Sequence, residues 1–375
     1  MKILFVIKSR IYSGLEHVAF DIIQNLPEGY ECRYLARKGV IEDHLKKAGI
    51  DYVLVDKLTP AVVRREAEAY GADILHANDF TASVLSPFAC PDITVISHLH
   101  SNPTWMQQKN LKSLAFKLAL PRLKKVILVS DSIRDEYVYA SALADKAVVL
   151  GNPFSVKAVI EKAGAGSGVA DDGSAGADSC RYDLLYCGRL TPEKNPLGFL
   201  KIVDLYVPRS FKAVMIGDGE LREECEKYIK EHSLPVEMLG FQENPYKFIN
   251  QARVVCMPSV YEGFGLVALE AMCLGKPVLA SGAGGLSEIV NDTCGRICGM
   301  LNGNSAEGNS TEGSSGESEA ANLEIYVREL DRLLTDPVYY ADKSEGAVRR
   351  ADEYDNLAEY IEQIVEIYDS CAKCK

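Results

Sequence analysis

The chain has 375 residues, more than one ordinary hydrophobic core uses, so two domains of common size are expected. Apolar residues make up 47% and charged residues 25%, the mix of a globular protein rather than a disordered one. Acidic residues outnumber basic ones 53 to 41, a net charge of -12, which is the wrong sign for wrapping nucleic acid; no nucleic-acid partner is expected.

The N-terminus reads "MKILFVIKSR", with an apolar run only from Ile3 to Ile7. That is short for a signal peptide and reads as a first β-strand. No later stretch approaches the ~20 apolar residues of a spanning helix. A cytoplasmic protein is expected. Further strands follow as "ECRYLA", "YVLV", "DILHA", "ITVIS", "KVILVS" and "AVVL", then "DLLYCG", "KAVMIG", "VEML", "RVVCMP", "PVLAS" and "RICG". Helical segments of about 10–15 residues separate many of them, and strand–helix alternation predicts parallel sheets covered on both faces. Two such series predict two doubly wound α/β domains facing a cleft. The first is expected over 1–155 and the second over 156–354, with the last helix, about 355–375, packing back on the first. Two stretches poor in apolar residues, Ala163–Ser179 and Asn302–Ala320, read as loops.

The 11 cysteines carry no obvious metal signature. Cys187, Cys256 and Cys273 lie in apolar patterns and read as core thiols. Cys294 and Cys298, and the C-x-x-C of Cys371 and Cys374, lack a second ligand pair at zinc-like spacing. No metal and no cofactor are expected. The common phosphate motifs are also missing. The turn after the first strand, "KSRIYSGLEH", has one glycine where a dinucleotide fold needs G-x-G-x-x-G. The one Gly-Lys pair, Gly275-Lys276, runs into Pro277 rather than Ser or Thr.

The stretch "YEGFGLVALEAMCLGKP", Tyr261 to Pro277, is therefore conspicuous. It places Gly263, Phe264 and Gly265 at a strand-to-helix turn on the carboxyl edge of a parallel sheet, where ligands of such folds bind. Glycines there admit a ligand close to backbone N–H groups, and the helix N-terminus favours oxygen-rich or anionic groups. Glu262 precedes the turn, and Glu270 follows after seven intervening residues. Each carboxylate can accept paired hydrogen bonds from vicinal hydroxyls. The bland alternatives are a capping acid at Glu262 and a solvated helix face at Glu270. The apolar neighbours of Glu270 speak against the second, because a carboxylate among them is costly without partners.

This segment resembles the donor-binding signature of the retaining, nucleotide-sugar-dependent glycosyltransferases of the GT-B fold, the group 1 family. That signature is an acid, a Gly-Phe-Gly turn and a second acid after seven residues. "GKPVLASGAGGLSEIV" continues the pattern through Glu288. "LLYCGRLTPEKNP" resembles the family's diphosphate loop, "AVMIGDGELREE" its following Gly-rich turn and "LGFQENP" its base-pocket loop. In the first half "YSGLEHVAFDI", "DILHAND" and "VISHLHS" are similar to the first glycine loop, the fourth strand end and the strand carrying the active-site histidine. The family's glycine loop carries two adjacent glycines; here Ser13 precedes Gly14.

The resemblance implies transfer of a sugar from a nucleoside diphosphate, UDP favoured, to an acceptor hydroxyl in polysaccharide or glycolipid synthesis, with retention of configuration. It implies Arg189 and Lys194 as the diphosphate clamp and Glu270 on the ribose. Glu262 would meet the donor sugar, supported by the backbone of Gly263, Phe264, Gly265 and Leu266. Gly14 would let the first loop approach the phosphates, or is simply a helix-entry glycine. His100, with His98 second, would be the active-site histidine, or is a satisfied core residue. Rival readings are a phosphorylase, an epimerase and a non-catalytic nucleotide-sugar binder.

The first domain is expected to take the saccharide or lipid-linked acceptor. From Ile93 to Ser130 there is no acidic residue, while Lys109, Lys112, Lys117, Arg122, Lys124 and Lys125 interleave with Trp105, Met106, Leu111, Leu114, Phe116, Leu118 and Leu120. The segment 104–125 is a candidate for peripheral contact with the inner face of an anionic membrane. The alternative is a packing helix with lysines on its wet face.

Overall fold

The computed structural model describes residues 1–101, 103–143, 145–164, 180–206, 210–301 and 316–372. Most of both apolar-poor stretches, and Cys374, lie outside the described residues. The chain forms two units, Met1–Pro153 with Asn356–Lys375, and Phe154–Asp355.

The first unit holds seven parallel strands: β1 (Lys2–Val6), β2 (Glu31–Arg37), β3 (Tyr52–Val55), β4 (Ile74–Ala77), β5 (Thr94–Leu99), β6 (Lys125–Leu128) and β7 (Ala147–Val149), in the order β3-β2-β1-β4-β5-β6-β7. The central strands are buried nearly throughout, which is why "ILFV" and "ILHA" read as apolar runs rather than alternations. Helices at Gly14–Asn25, Pro60–Tyr70 and Phe80–Ala89 connect strands in the usual crossover manner. The last helix, Leu357–Ala372, packs Tyr360, Ile364, Tyr368 and Cys371 inward at helical spacing, and Tyr368 meets His76 of β4 edge to face at 5.7 Å. The Tyr30 hydroxyl adds a 2.7 Å bond to Asp369.

The second unit holds β8 (Tyr182–Cys187), β9 (Ala213–Ile216), β10 (Val236–Met238), β11 (Ala252–Met257), β12 (Val278–Ala280) and β13 (Gly295–Ile297), all parallel, in the order β10-β9-β8-β11-β12-β13. All thirteen strands coincide with runs predicted from sequence, to within a residue or two at the ends. In each unit the winding reverses beside its first strand, between β1 and β4 and between β8 and β11. That reversal leaves a crevice at the strand carboxyl ends, because the loops on its two sides run in opposite directions.

Candidate functional site

In the second unit the reversal is flanked by the loop after β8, which carries Arg189 and Lys194, and the loop after β11, which carries Glu262. Several contacts lock the two loops together. The backbone N–H groups of Val260 and Tyr261 both donate to the Glu193 carbonyl, at 2.9 and 3.1 Å. The Tyr186 hydroxyl donates to the Arg189 carbonyl at 2.8 Å. Asn195 takes a left-handed conformation (φ 51°), which an asparagine tolerates better than most residues. Its buried carboxamide donates to the Pro258 and Leu301 carbonyls and accepts from the Gly198 N–H that opens the next helix. This pinning brings Lys194 Nζ to 2.5 Å from Glu262 Oε2. Glu262 is only 9% exposed, so its charge would be costly without that partner. Arg189 lies further out and pairs with Glu193 at 2.8 Å.

Gly263, Phe264 and Gly265 form the turn, and Leu266 opens the helix Leu266–Cys273. Gly265 is the residue before the helix, at φ 105°, and no side chain caps that end, so Glu262 is not a capping acid. The turn is roofed by a second glycine pair. A Cβ on Gly284 would stand 1.9 Å from the Glu262 carbonyl oxygen, and one on Gly285 would stand 2.4 Å from that of Phe264. Close backbone approach, together with φ 49° at Gly284, explains why "SGAGG" carries glycines there. Glu270 lies one turn further along, 7% exposed, and accepts from the Tyr246 hydroxyl at 3.0 Å. It is a buried, partnered carboxylate and not a solvated face.

The first unit's edge is built differently. Ser13 caps the helix Gly14–Asn25 in a reciprocal box with Glu16, whose carboxylate accepts from the Ser13 N–H at 2.9 Å and hydroxyl at 2.6 Å. Burial raises the Glu16 pKa, and the two serines beside it, Ser13 and Ser9, pull it down less. Gly14 is the first residue of that helix. Asp79, after β4, caps the next helix through Ala82 N–H at 2.8 Å and also accepts from Lys8 N–H at 2.5 Å, tying the β1 and β4 loops together.

His100 follows β5. It is half-buried, but both ring nitrogens are shielded and make no well-formed hydrogen bond, and the Asn152 carboxamide oxygen beside it makes none either. Burial pushes its pKa down, with Asn152 opposing more weakly. His98 and His76 are fully buried. Burial pushes the His76 pKa down to about 3, with His100 adding to the effect. It holds His98 well below its ordinary value, with His100 and His76 adding. At neutral pH this edge therefore carries uncharged rings.

The segment 104–125 divides. Met106, Phe116 and Leu120 are core, while Leu111, Leu114 and Leu118 are exposed by 85, 40 and 59% at one-face spacing on the helix Leu111–Ala119. Lys112 lies over Trp105 and Lys117 over Tyr139, at 5.8 and 4.3 Å. Among the described residues no helix is long and apolar enough to cross a membrane, and no cluster of His, Cys, Asp and Glu suits a metal ion.

Sequence reasoning missed Asn195, Tyr186, Tyr246 and Asp79. Asn195, an Asn before Pro in a glycine-poor loop, offered the one local signal, a turn preference. The others act through partners distant in sequence.

Two family profiles match: glycosyl transferases group 1 over residues 171–312 and glycosyltransferase family 4 over residues 12–157. An uncharacterized glycosyltransferase of Methanocaldococcus jannaschii is 27% identical over 258 residues, 66% of this chain and 66% of that protein. An α-1,4-N-acetyl-D-galactosaminyltransferase of Campylobacter jejuni, acting on an undecaprenyl-diphosphate-linked saccharide, is 37% identical over 92 residues, 24% of this chain and 26% of that protein. The matched part is thus less than two thirds of either relative's own length. Among solved structures, Anabaena HepE in complex with UDP-glucose superposes with a TM-score of 0.76 at 22% identity, covering 99% of this chain and 100% of that one. That likeness establishes the GT-B fold. The second half of the chain thus matches the group 1 glycosyltransferase profile and the first half the family 4 glycosyltransferase profile, on a GT-B architecture.

Proposed function

We propose that this protein transfers a sugar from a nucleoside-diphosphate sugar, a UDP-sugar above the others, to an acceptor hydroxyl with retention of configuration. The observation that carries this reading is the Lys194–Glu262 pair, held on the Gly263–Gly265 turn at the crevice of the second sheet. Arg189 and Lys194 are the two cations of that edge, and both are engaged by carboxylates, Glu193 and Glu262. An arriving diphosphate competes for the same cations, as a fork on Arg and a point charge on Lys. Glu262 is then released to accept from donor-sugar hydroxyls, while the backbone of Gly263, Phe264, Gly265 and Leu266 lies alongside. Glu270, already oriented by Tyr246, accepts from the ribose hydroxyls.

In the reaction the bond from the sugar's anomeric carbon to the diphosphate oxygen breaks. A bond to the acceptor oxygen forms on the same face, and the acceptor's proton passes to the departing diphosphate. Charge develops on that diphosphate, where Arg189 and Lys194 act. No metal or cofactor enters this scheme. His100, uncharged at neutral pH, offers one donor and one acceptor to a sugar hydroxyl. Gly14 presents the backbone N–H groups of a helix start.

The acceptor is a saccharide or a lipid-linked saccharide. The exposed face of Leu111, Leu114 and Leu118, interleaved with lysines, supports peripheral contact with an anionic membrane, and hence a location at its inner face. Retention of polar, partnered Glu262 and Glu270 favours catalysis over the rival of a mere nucleotide-sugar binder.

The test is a thermal-shift panel with UDP, GDP, ADP, CMP, TDP and their sugars, with and without magnesium. A ligand of the folded state raises the melting temperature by mass action. UDP and one UDP-sugar are expected to do so, and Arg189→Ala with Glu270→Ala to abolish it. Product anomeric configuration by NMR then tests retention. Failure of every nucleotide at millimolar concentration overturns the reading.

A further inference from the structure

Behind His100 the first unit holds a row of rings that the reaction above does not use. Phe5 of β1 stacks on His76 of β4 at 4.8 Å. His76 Nε2 lies 3.2 Å from His98 Nδ1, and the His98 ring lies 3.9 Å from that of His100. On its other side His76 Nδ1 meets the Tyr368 hydroxyl at 2.5 Å. Tyr368 stands on the last helix, 292 residues later, and is fully buried, as are His76 and His98.

The direction of these bonds follows from proton counting. A neutral imidazole has one N–H and one bare nitrogen, and a phenol has one proton to give. Among the described residues the Tyr368 hydroxyl has one hydrogen-bond partner, His76. If Tyr368 accepted from an Nδ1–H, its own proton would be sealed under the helix without an acceptor. If Tyr368 donates, His76 carries its proton on Nε2 and gives it to His98 Nδ1. His98 then carries its proton on Nε2, which is a shielded atom without a partner. That atom belongs to the ring tilted against His100 at 35°, beside which both His100 nitrogens and Asn152 Oδ1 are short of partners as well. The first arrangement leaves two buried atoms unmatched, the Tyr368 proton and the bare His98 Nε2, whereas the second leaves one, the His98 Nε2–H.

We propose that Tyr368 is a positioning residue. Its hydroxyl donates to His76 Nδ1, sets His76 and then His98 in the Nε2–H tautomer, and so presents a hydrogen-bond donor beside His100. The helix that closes the chain thereby orders a site at the other end of the sequence. The catalytic consequence rests on the transferase reading; the tautomer assignment does not.

The experiment is NMR of the full-length chain with ¹⁵N-labelled histidine at pH 7, which reads the proton position on each of the six rings. His76 and His98 are each expected to show one protonated nitrogen, Nε2. A proton on Nδ1 of His76 in the wild type overturns the proposal, and this arm needs no variant. Tyr368→Phe keeps the ring and removes the donor; His76 is expected to become a mixture of tautomers. An unchanged His76 signal overturns the proposal. With an active donor and acceptor, Tyr368→Phe should lower kcat about tenfold with KM unchanged, the pattern of a lost orienting partner. A full kcat with shifted tautomers overturns the positioning role. A wild type that turns over no donor, with the tautomers as expected, refutes the transferase reading and leaves the ring assignment standing.

Discussion

The same topological position, the carboxyl edge beside the reversal of winding, is built in opposite electrostatic styles in the two units. In the second unit it holds charges: Lys194 against Glu262, Arg189 against Glu193, and Glu270 under Tyr246. In the first unit it holds neutral rings, His76, His98 and His100, with Asn152. Both obey one rule. An ionisable group taken out of water must either find a counter-charge or discharge. The second edge takes the first course. The first edge takes the second course.

The largest effect that would break this contrast is acid. His76 and His98 are neutral when folded, and in the unfolded chain they protonate below about pH 6.5. Their folded pKa values are depressed, so the stability they carry is present above about pH 6.5 and is lost as pH falls toward the folded value, about 3 for His76. Each contributes ~1.4 kcal/mol per pH unit in that window, ~3 kcal/mol per unit for the two. Glu16 and Asp79 of the same unit have raised pKa values, chiefly through burial, and act in the opposite sense as they protonate. Hydrogen exchange at pH 7 and pH 5 is expected to show β4, β5 and helix 357–372 opening before β8 and β11. If β8 and β11 open first, the contrast fails.

A smaller effect sharpens the other side. Lys194→Met leaves the Glu262 carboxylate nearly buried without its counter-charge. The expected cost is ~2 kcal/mol, below the full value for a buried pair because Lys194 is 22% exposed. Urea denaturation measures it. Adding Glu262→Gln to Lys194→Met should recover part of the loss, since the stranded charge is then gone. A purely additive double variant would mean that the two residues do not depend on each other.

The smallest expected effect concerns the exposed helix 111–119. Replacing Lys112 and Lys117 by Glu should weaken sedimentation with phosphatidylserine vesicles by ~1 kcal/mol or more per site and leave neutral vesicles unaffected. Equal binding of variant and wild type would assign those lysines to the wet face of a packing helix.

Much of this was legible in the sequence, for a local reason. A strand buried on both faces must be apolar along its length, so the strands of both sheets stood out as runs between helices. Glu270 was legible as a partnered carboxylate because its immediate neighbours are apolar. Gly263 and Gly265 were legible as a strand-to-helix turn because they stand between an apolar strand run and an apolar helical run. The roofing role of Gly284 and Gly285 was not, since it depends on the carbonyls of Glu262 and Phe264 lying opposite.

By itself, then, the sequence determined the alternation of strand and helix, the two doubly wound halves and the acid–turn–acid signature. All of these follow from neighbours within a few residues. The tertiary structure alone decided the strand order and its reversals. It also decided the pairing of Lys194 with Glu262 across 68 residues, of Tyr246 with Glu270 across 24, and of Tyr368 with His76 across 292. The physical reason is that hydrogen bonds and ion pairs carry no period along the chain. An isolated Lys, Tyr or His looks the same in sequence whether it is solvated or buried against a partner, and only the packing of distant elements selects between the two.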